Sequence, residues 1–395
     1  MRGVAGGRTP PLVLHVIPTG AARGGQREAQ ALRRRLDAPG VRDHRLLSLF
    51  TGPDEIPVDV ALGHPGGARP AVGFDPRVVL RLRRALASLD PAVVVAHGGD
   101  PLKYLVPALA GSGRPLAYYA TGTFEHAGRR ARVALWRALL GRAAVVACEG
   151  EEVLAQCRTL LGVPTDRSLL APNGRDPAVF RPATAGDAGA EAGGSGDEGD
   201  GPVLAFVGAL TTGKRPDRFI EAVAELRRRG VAVRAWVCGD GPLAPTLVAP
   251  AAAAGVELLG TRHDIPELLR GADAFVFTSR PTGEGMPGVL IEAGLSGLPV
   301  VATAVPGVRT IVADGVTGVV VEPEDRAGLV EAMARLVGDP DGRAAMGRAA
   351  RERCTARFSL DAVAACWLGF LEPLVAGAVS RSGRSGPGSR PGPGA

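Results

Sequence analysis

The stretch EGMPGVLIEAGLSGLP, residues 284–299, sets two carboxylates, Glu284 and Glu292, eight positions apart across a glycine- and proline-rich turn and an apolar run. Spacing alone says little, because chance supplies such pairs in a chain of this length. The setting says more. ADAFVFTS (272–279) reads as a buried strand, PTGEGMPG as the loop after it, and Pro287 or Gly288 as the start of a helix, since proline is tolerated where the first helical N–H groups lack partners. Glu284 then lies in the loop at the carboxyl end of a strand. Glu292 lies about one turn into the helix and leans back toward its N-terminus. The bland reading makes one glutamate a cap and the other a solvent-facing residue. The chemical reading has both accepting hydrogen bonds from one polyhydroxylated ligand, while the free N–H groups of the helix start receive a diphosphate. A nucleotide sugar offers both, with two hydroxylated rings flanking a diphosphate.

Such a site needs a sheet to hold it. A chain of 395 residues predicts two domains, each with its own core. In the first half, short apolar runs PLVLHVI (11–17), AVVVAH (92–97), PLAYYAT (115–121), AAVVAC (143–148) and RSLLAPNG (167–174) alternate with helix-like stretches, as in βα units around a parallel sheet. Residues 183–201, almost all Ala, Gly, Asp and Glu, have nothing large to bury and read as a flexible acidic linker. A second alternation follows: VLAFVG, a helix over PDRFIEAVAELRRRG, RAWVCG, VELLG, AFVFTS, PVVAT and GVVVE. The reading is an N-terminal Rossmann-like domain over 1–182, the linker, a C-terminal domain over 202–358, an apolar helix over 359–378 packing back at the domain interface, and a disordered tail over 379–395.

Charge and cysteine usage narrow the class. Residues 1–182 carry 25 basic and 15 acidic side chains, an asymmetry that suits an anionic partner or, more plainly, solvated Arg-rich helix faces. The arginine excess resembles the codon usage of a GC-rich genome more than a nucleic-acid-binding code, and no nucleic-acid partner is expected. Five cysteines form no CxxC pair and sit in apolar segments, which predicts reduced, buried thiols and a cytoplasmic location. No run is read as reaching the roughly 20 apolar residues that span a bilayer. The segment HAGRRARVALWRALLGRAA (126–144) gathers five arginines around Val133, Leu135, Trp136 and Leu139. It reads either as a surface helix or as an amphipathic contact with anionic lipid on the inner face of the plasma membrane.

FVGALTTGKRPDRFIEAVAEL, VCGDGPL, LLGTRHDIPELLRGADAFVFTS, EGMPGVLIEAGLSGLPVVATAVPGV and VADGVTGVVVEPED, spread over residues 203–325, together resemble the retaining glycosyltransferases of the GT-B fold, family four (group 1). The resemblance implies an α/β chain of two Rossmann-like domains facing across a cleft. The nucleotide-sugar donor would sit on the C-terminal domain and the acceptor on the N-terminal one. Lys214 then matches the lysine that neutralises the leaving diphosphate, where growing negative charge needs a positive group. Glu284 would hold the hydroxyls of the transferred sugar and Glu292 those of the ribose, with the amides of Gly285, Met286, Gly288 and Val289 on the sugar or diphosphate. Gly208, Arg215, Gly239 and Arg262 fall in the matched donor-side loops, and Gly24 and Gly25 in a segment resembling the glycine-rich loop that closes over the donor. APNGRDPAVF, with Asn173 and Asp176, resembles the PNGVD segment near the hinge, where turn or cap roles are as plausible as contact. The donor is expected as a UDP- or GDP-sugar acting as substrate, with no other cofactor and no metal. The acceptor is a glycan, a lipid-linked glycan or a small molecule.

Two departures stand out. Ala209 occupies a position where the family often has arginine, which leaves Arg215 as the substitute. The family's N-domain histidine falls on Ala120 or Thr121, which leaves His97, at a strand end, as the candidate to line the site. The letters of GDPDG (338–342) fit a DxD metal motif, but the segment lies between two helices, where Asp is an ordinary N-cap. A Rossmann oxidoreductase lacks its GxGxxG fingerprint here, and a phosphorylase would carry a lysine later than Lys214. A nucleotide-sugar epimerase or hydrolase, or a binding homologue without activity, remain as alternatives.

Overall fold

The computed structural model describes residues 10–21, 24–38, 41–52, 56–64, 73–124, 130–184, 201–281 and 285–384. The chain divides into two units: one takes residues up to Cys148, Val153–Ala171 and the chain from Val363 on, and the other takes Glu149–Glu152 and Pro172–Ala362.

The N-terminal unit runs β1 (Leu12–Ile17), α1 (Gly24–Leu36), β2 (Asp43–Phe50), β3 (Val60–His64), α2 (Pro76–Leu89), β4 (Val93–His97), α3 (Gly99–Ala108), β5 (Leu116–Ala120), α4 (Arg130–Leu140), β6 (Val145–Cys148), α5 (Glu151–Thr159) and β7 (Ser168–Leu170). Its strands pair in parallel in the order β3-β2-β1-β4-β5-β6-β7. β1, LVLHVI, is buried at every position, as befits a strand covered on both faces. One face meets α2 and α3 through Val78, Leu82, Leu102 and Leu105. The other meets Leu32 and Leu36 of α1 together with Val363, Trp367 and Phe370. α2 shows how local sequence sets an element's ends: Asp75 accepts from the Arg77 N–H (2.8 Å), Pro76 opens the first turn, and Asp90 closes the helix in the left-handed conformation.

The C-terminal unit runs β8 (Val203–Val207), α6 (Pro216–Arg228), β9 (Arg234–Cys238), α7 (Ala244–Ala254), β10 (Glu257–Gly260), α8 (Ile265–Arg270), β11 (Ala274–Phe277), α9 (Gly288–Leu295), β12 (Val300–Thr303), α10 (Val308–Ile311), β13 (Gly318–Val321), α11 (Arg326–Gly338) and α12 (Pro340–Phe358). The parallel order is β10-β9-β8-β11-β12-β13. Phe219, Val223, Leu247 and Met333 cover one face, and Leu268, Leu290, Ile291 and Phe358 the other.

Four expectations change. β2 and β3 were not anticipated, because Asp43, His44 and Arg45 interrupt the apolar signal of DHRLLSLF. The boundary between units falls at Ala171/Pro172 and not at 182, and Glu149–Glu152 also joins the C-terminal unit. The last helix, α13 (Leu360–Arg384), is part of the N-terminal unit's core and runs through 379–384, where a disordered tail was expected. By length and composition alone it is also apolar enough over Leu360–Arg381 to cross a membrane, although no run of that length is expected from the sequence. Here Val363, Trp367, Phe370 and Leu371, spaced along one helical face, are buried on the sheet. The linker positions 185–200 and the last residues, 385–395, lie outside the described residues.

Candidate functional site

In the C-terminal sheet the strand order reverses between β8 and β11. Open α/β sheets bind ligands at such a switch point, in the crevice beyond the carboxyl ends of the strands. The loop after β8 carries Lys214, and the loop after β11 leads into α9. The two loops are tied together: the Arg280 N–H donates to the Gly213 carbonyl (2.7 Å), and the Thr278 hydroxyl is shared by the carbonyls of Lys214 (3.1 Å) and Arg215 (2.8 Å). The clamp holds a strained backbone, since Arg215 sits at φ 54, a left-handed conformation that costs a non-glycine residue about 1–2 kcal/mol. Lys214 Nζ lies 5.6 Å from the centre of the Phe277 ring, so its ammonium is held over the end of β11 by a cation–π contact.

α9 starts at Gly288 after Pro287, as the sequence predicts, and buries Leu290 and Leu295. Met286 is itself buried, and it accepts from Asn173 at both its sulfur and its carbonyl (3.4 Å each). Any ligand contact at Met286 is therefore left to its backbone. Gly285 packs its carbonyl against Gly307, where a Cβ would collide with it. Val289 is partly buried against the core. Glu292 receives Arg175 Nε at 2.7 Å, with both side chains about four-fifths buried. Arg175 was not singled out from sequence; a charged residue in the otherwise uncharged run APNG was the available signal. Glu284 lies outside the described residues.

Several candidates do other work. Arg215 is paired locally: Asp217, at the start of α6, takes its guanidinium through Nε (2.9 Å) and Nη2 (2.8 Å), and that hydrogen-bonded carboxylate raises its pKa. It lines a cavity of about 480 Å³ between α6 and α7, with Thr212, Asp217, Leu243, Leu247 and Arg280, and Lys214 is not among the lining residues. Arg262 is exposed and paired with Asp264 (Nε–Oδ1 2.8 Å), whose carboxyl the guanidinium hydrogen bond pulls down to about 2. Gly208 and Gly239 serve backbone packing. A Cβ on Gly239, at φ 145, would strike the Gly208 carbonyl oxygen, so glycine is what lets the ends of β8 and β9 approach. Gly24 and Gly25 open α1 after β1, and a Cβ on Gly25 would meet nothing. Asp176 accepts from Ala178 N–H (2.8 Å) as a turn residue, and Asp339 caps α12 through Gly342 N–H (2.9 Å), as expected of GDPDG.

His97 is the main correction. It closes β4 with its ring buried, not lining an open surface. Its Nε2 lies 2.9 Å from His15 Nδ1, and His15 Nε2 lies 3.0 Å from His44 Nδ1. The ring stacks on Trp367 (5.8 Å between centroids, 6° apart) and meets the Tyr119 edge. Burial lowers the pKa of His97 to about 3, that of His44 to about 4, and that of His15 well below its usual value. The lowered pKa values keep the rings neutral at pH 7, so the central His15 donates from one ring nitrogen and accepts at the other.

The cysteines are free thiols. Cys148 and Cys157 sit with sulfurs 3.7 Å apart, and burial pushes Cys354 up to about 12. α4 buries Leu140 alone and exposes Leu135, while Val133, Trp136 and Leu139 pack partly on the core. Among the described residues no cluster of His, Cys, Asp and Glu is placed to hold a metal ion.

Two wound α/β units, one with a cation and a helix start at its switch point, define the class. Residues 22–179 match the description Glycosyltransferase Family 4, and 201–339 match Glycosyl transferases group 1. The chain is 34% identical over 169 residues to the alpha-D-kanosaminyltransferase of Streptomyces kanamyceticus, covering 41% of this chain and 43% of that protein. It is 30% identical over 313 residues, 75% of this chain and 80% of the relative, to a GDP-mannose-dependent alpha-(1-6)-phosphatidylinositol monomannoside mannosyltransferase of Mycobacterium tuberculosis. The first curated relatives are matched over less than half of their own length. Among solved structures, Anabaena HepE in complex with UDP superposes with a TM-score of 0.76 at 19% identity, over 92% of this chain and all of that one. The chain belongs to the family-four (group 1) glycosyltransferases, with the GT-B fold.

Proposed function

We propose that this chain is a retaining glycosyltransferase that moves a sugar from a UDP- or GDP-linked donor to an acceptor hydroxyl of a glycan, a lipid-linked glycan or a small molecule, on the cytoplasmic side of the membrane. The observation that carries the reading is the shared switch point. Lys214 and the start of α9 leave adjacent strands β8 and β11 on loops tied by Arg280 and Thr278. The GDP-mannose dependence in the name of the mycobacterial relative, and the UDP in the HepE structure, support a nucleotide-sugar donor.

In this reading the bond between the anomeric carbon and the diphosphate oxygen breaks while the acceptor oxygen bonds the same carbon on the same face. The acceptor proton passes to the departing diphosphate, so no separate general base is required. Lys214 and the amides at the α9 start neutralise the charge that grows on the leaving group, where fixed positive groups lower the barrier most. Their charge serves in place of a metal ion. Glu292 takes the ribose hydroxyls and Glu284 those of the transferred sugar.

The test is a panel of UDP-, GDP- and ADP-sugars in ligand-observed NMR, followed by acceptor screening with the sugar that binds. The expected product keeps the donor's anomeric configuration. Failure of every nucleotide sugar to bind, or an inverted product, would sink the reading.

A further inference from the structure

Arg175 is fixed at its backbone and placed over a helix start by its side chain. Its N–H donates to the Phe358 carbonyl and its carbonyl accepts from Leu360 N–H, both at 2.9 Å. Its guanidinium lies against the first residue of α9, so closely that a Cβ on Gly288 would collide with it. Nε donates to Glu292 (2.7 Å) and Nη1 to the Gly174 carbonyl (2.8 Å).

Electrostatics makes this an unusual place for a cation. A helix N-terminus carries positive partial charge, so a guanidinium there is disfavoured without an anion beside it. Glu292, one turn into α9, supplies that anion in the chain alone. The segment is also fastened without the pair, by the backbone bonds to Phe358 and Leu360 and by the Asn173–Met286 bonds. An arriving diphosphate would offer the same guanidinium more negative charge and oxygens spaced for two parallel N–H bonds.

We propose that Arg175 is a second cation of the diphosphate site, parked on Glu292 in the free chain and transferred to the donor diphosphate on binding, which frees Glu292 for the ribose. The inference rests on the donor-site reading above and adds to it a residue and an exchange of partners. It also accounts for Gly288, since any side chain there would push the guanidinium away from the helix start.

The experiment compares UDP with uridine and GDP with guanosine, titrated by calorimetry into wild type, Arg175→Gln and Arg175→Lys at two salt concentrations. Arg175→Gln is expected to lose about tenfold in affinity for the diphosphate, the cost of one charged hydrogen-bonding group, with nucleoside affinity unchanged and a shallower salt dependence. Arg175→Lys should recover part of the loss, and also stands in should the glutamine variant not fold. Equal diphosphate affinity in wild type and Arg175→Gln, or equal losses for diphosphate and nucleoside, would overturn the assignment while leaving the donor site standing. Wild type that binds neither UDP nor GDP would remove the donor site and this role together.

Discussion

The two sheets are wound alike, yet the residues beside their switch points differ. In the N-terminal sheet the order reverses between β1 and β4, and His15 and His97 on those strands are packed with His44 beneath Trp367 of α13. In the C-terminal sheet it reverses between β8 and β11, and the loops there present Lys214 and the start of α9. Topology offers a crevice twice. Side chains distinguish the two: beside the first, stacked histidine rings pack into the unit's core, and at the second a clamped lysine and a helix start stand at the strand ends.

The sharpest way to break that contrast is Lys214→Ala. Loss of the charge facing the leaving diphosphate should cut turnover about 10²- to 10³-fold. Thermal stability should change far less, since the backbone bonds of the Lys214 loop stay in place and the partly exposed side chain gives up a cation–π contact of about 1 kcal/mol. A loss under tenfold in a steady-state assay would move the catalytic charge elsewhere.

The second prediction concerns acid. His15, His44 and His97 have lowered pKa values in the folded chain, so below about pH 6.5 the unfolded chain binds more protons than the folded one. Their contribution is whole above that pH and is lost as pH falls toward 4 and 3. Arg33 and Arg42 add to the depression of His44, and Asp37 and Asp43 oppose it. Urea unfolding should show a loss on the order of 2 kcal/mol per ring between pH 6.5 and 5, smaller in His97→Phe. An unchanged slope in that variant would mean that the triad is not the origin.

Smaller effects separate the glycine-rich loops. Gly239→Ala should cost about 2–4 kcal/mol in urea unfolding, because it meets both a backbone clash and a positive φ. Gly25→Ala, in open space at the start of α1, should leave stability unchanged or raise it by up to about 1 kcal/mol. Smallest is Asp339→Ala, which removes the α12 cap and should cost about 1 kcal/mol.

Much of this was legible in the sequence, and the failures share a cause. Buried parallel strands announce themselves as apolar runs, so β1, β4, β8 and β11 and the helix start at Gly288 were readable. Local capping was also readable at Asp339. What depends on distant partners was not. His97 at a strand end looks the same whether it faces water or, as here, stacks on Trp367, 270 residues later. Arg215 is paired with Asp217 at the start of α6, and Arg175 meets Glu292 only because the fold of the C-terminal unit brings together residues 117 positions apart. β2 was lost for a related reason: His44 is apolar in effect once buried against His15, which no local pattern reveals.

The most direct test assays Lys214→Ala and His97→Phe side by side at pH 7.5, with nucleotide-sugar turnover and thermal unfolding measured on both. The expected result is a Lys214→Ala that is folded and almost inactive, and a His97→Phe that retains turnover and changes only in stability. Turnover abolished by His97→Phe in a folded protein and preserved in Lys214→Ala would contradict it.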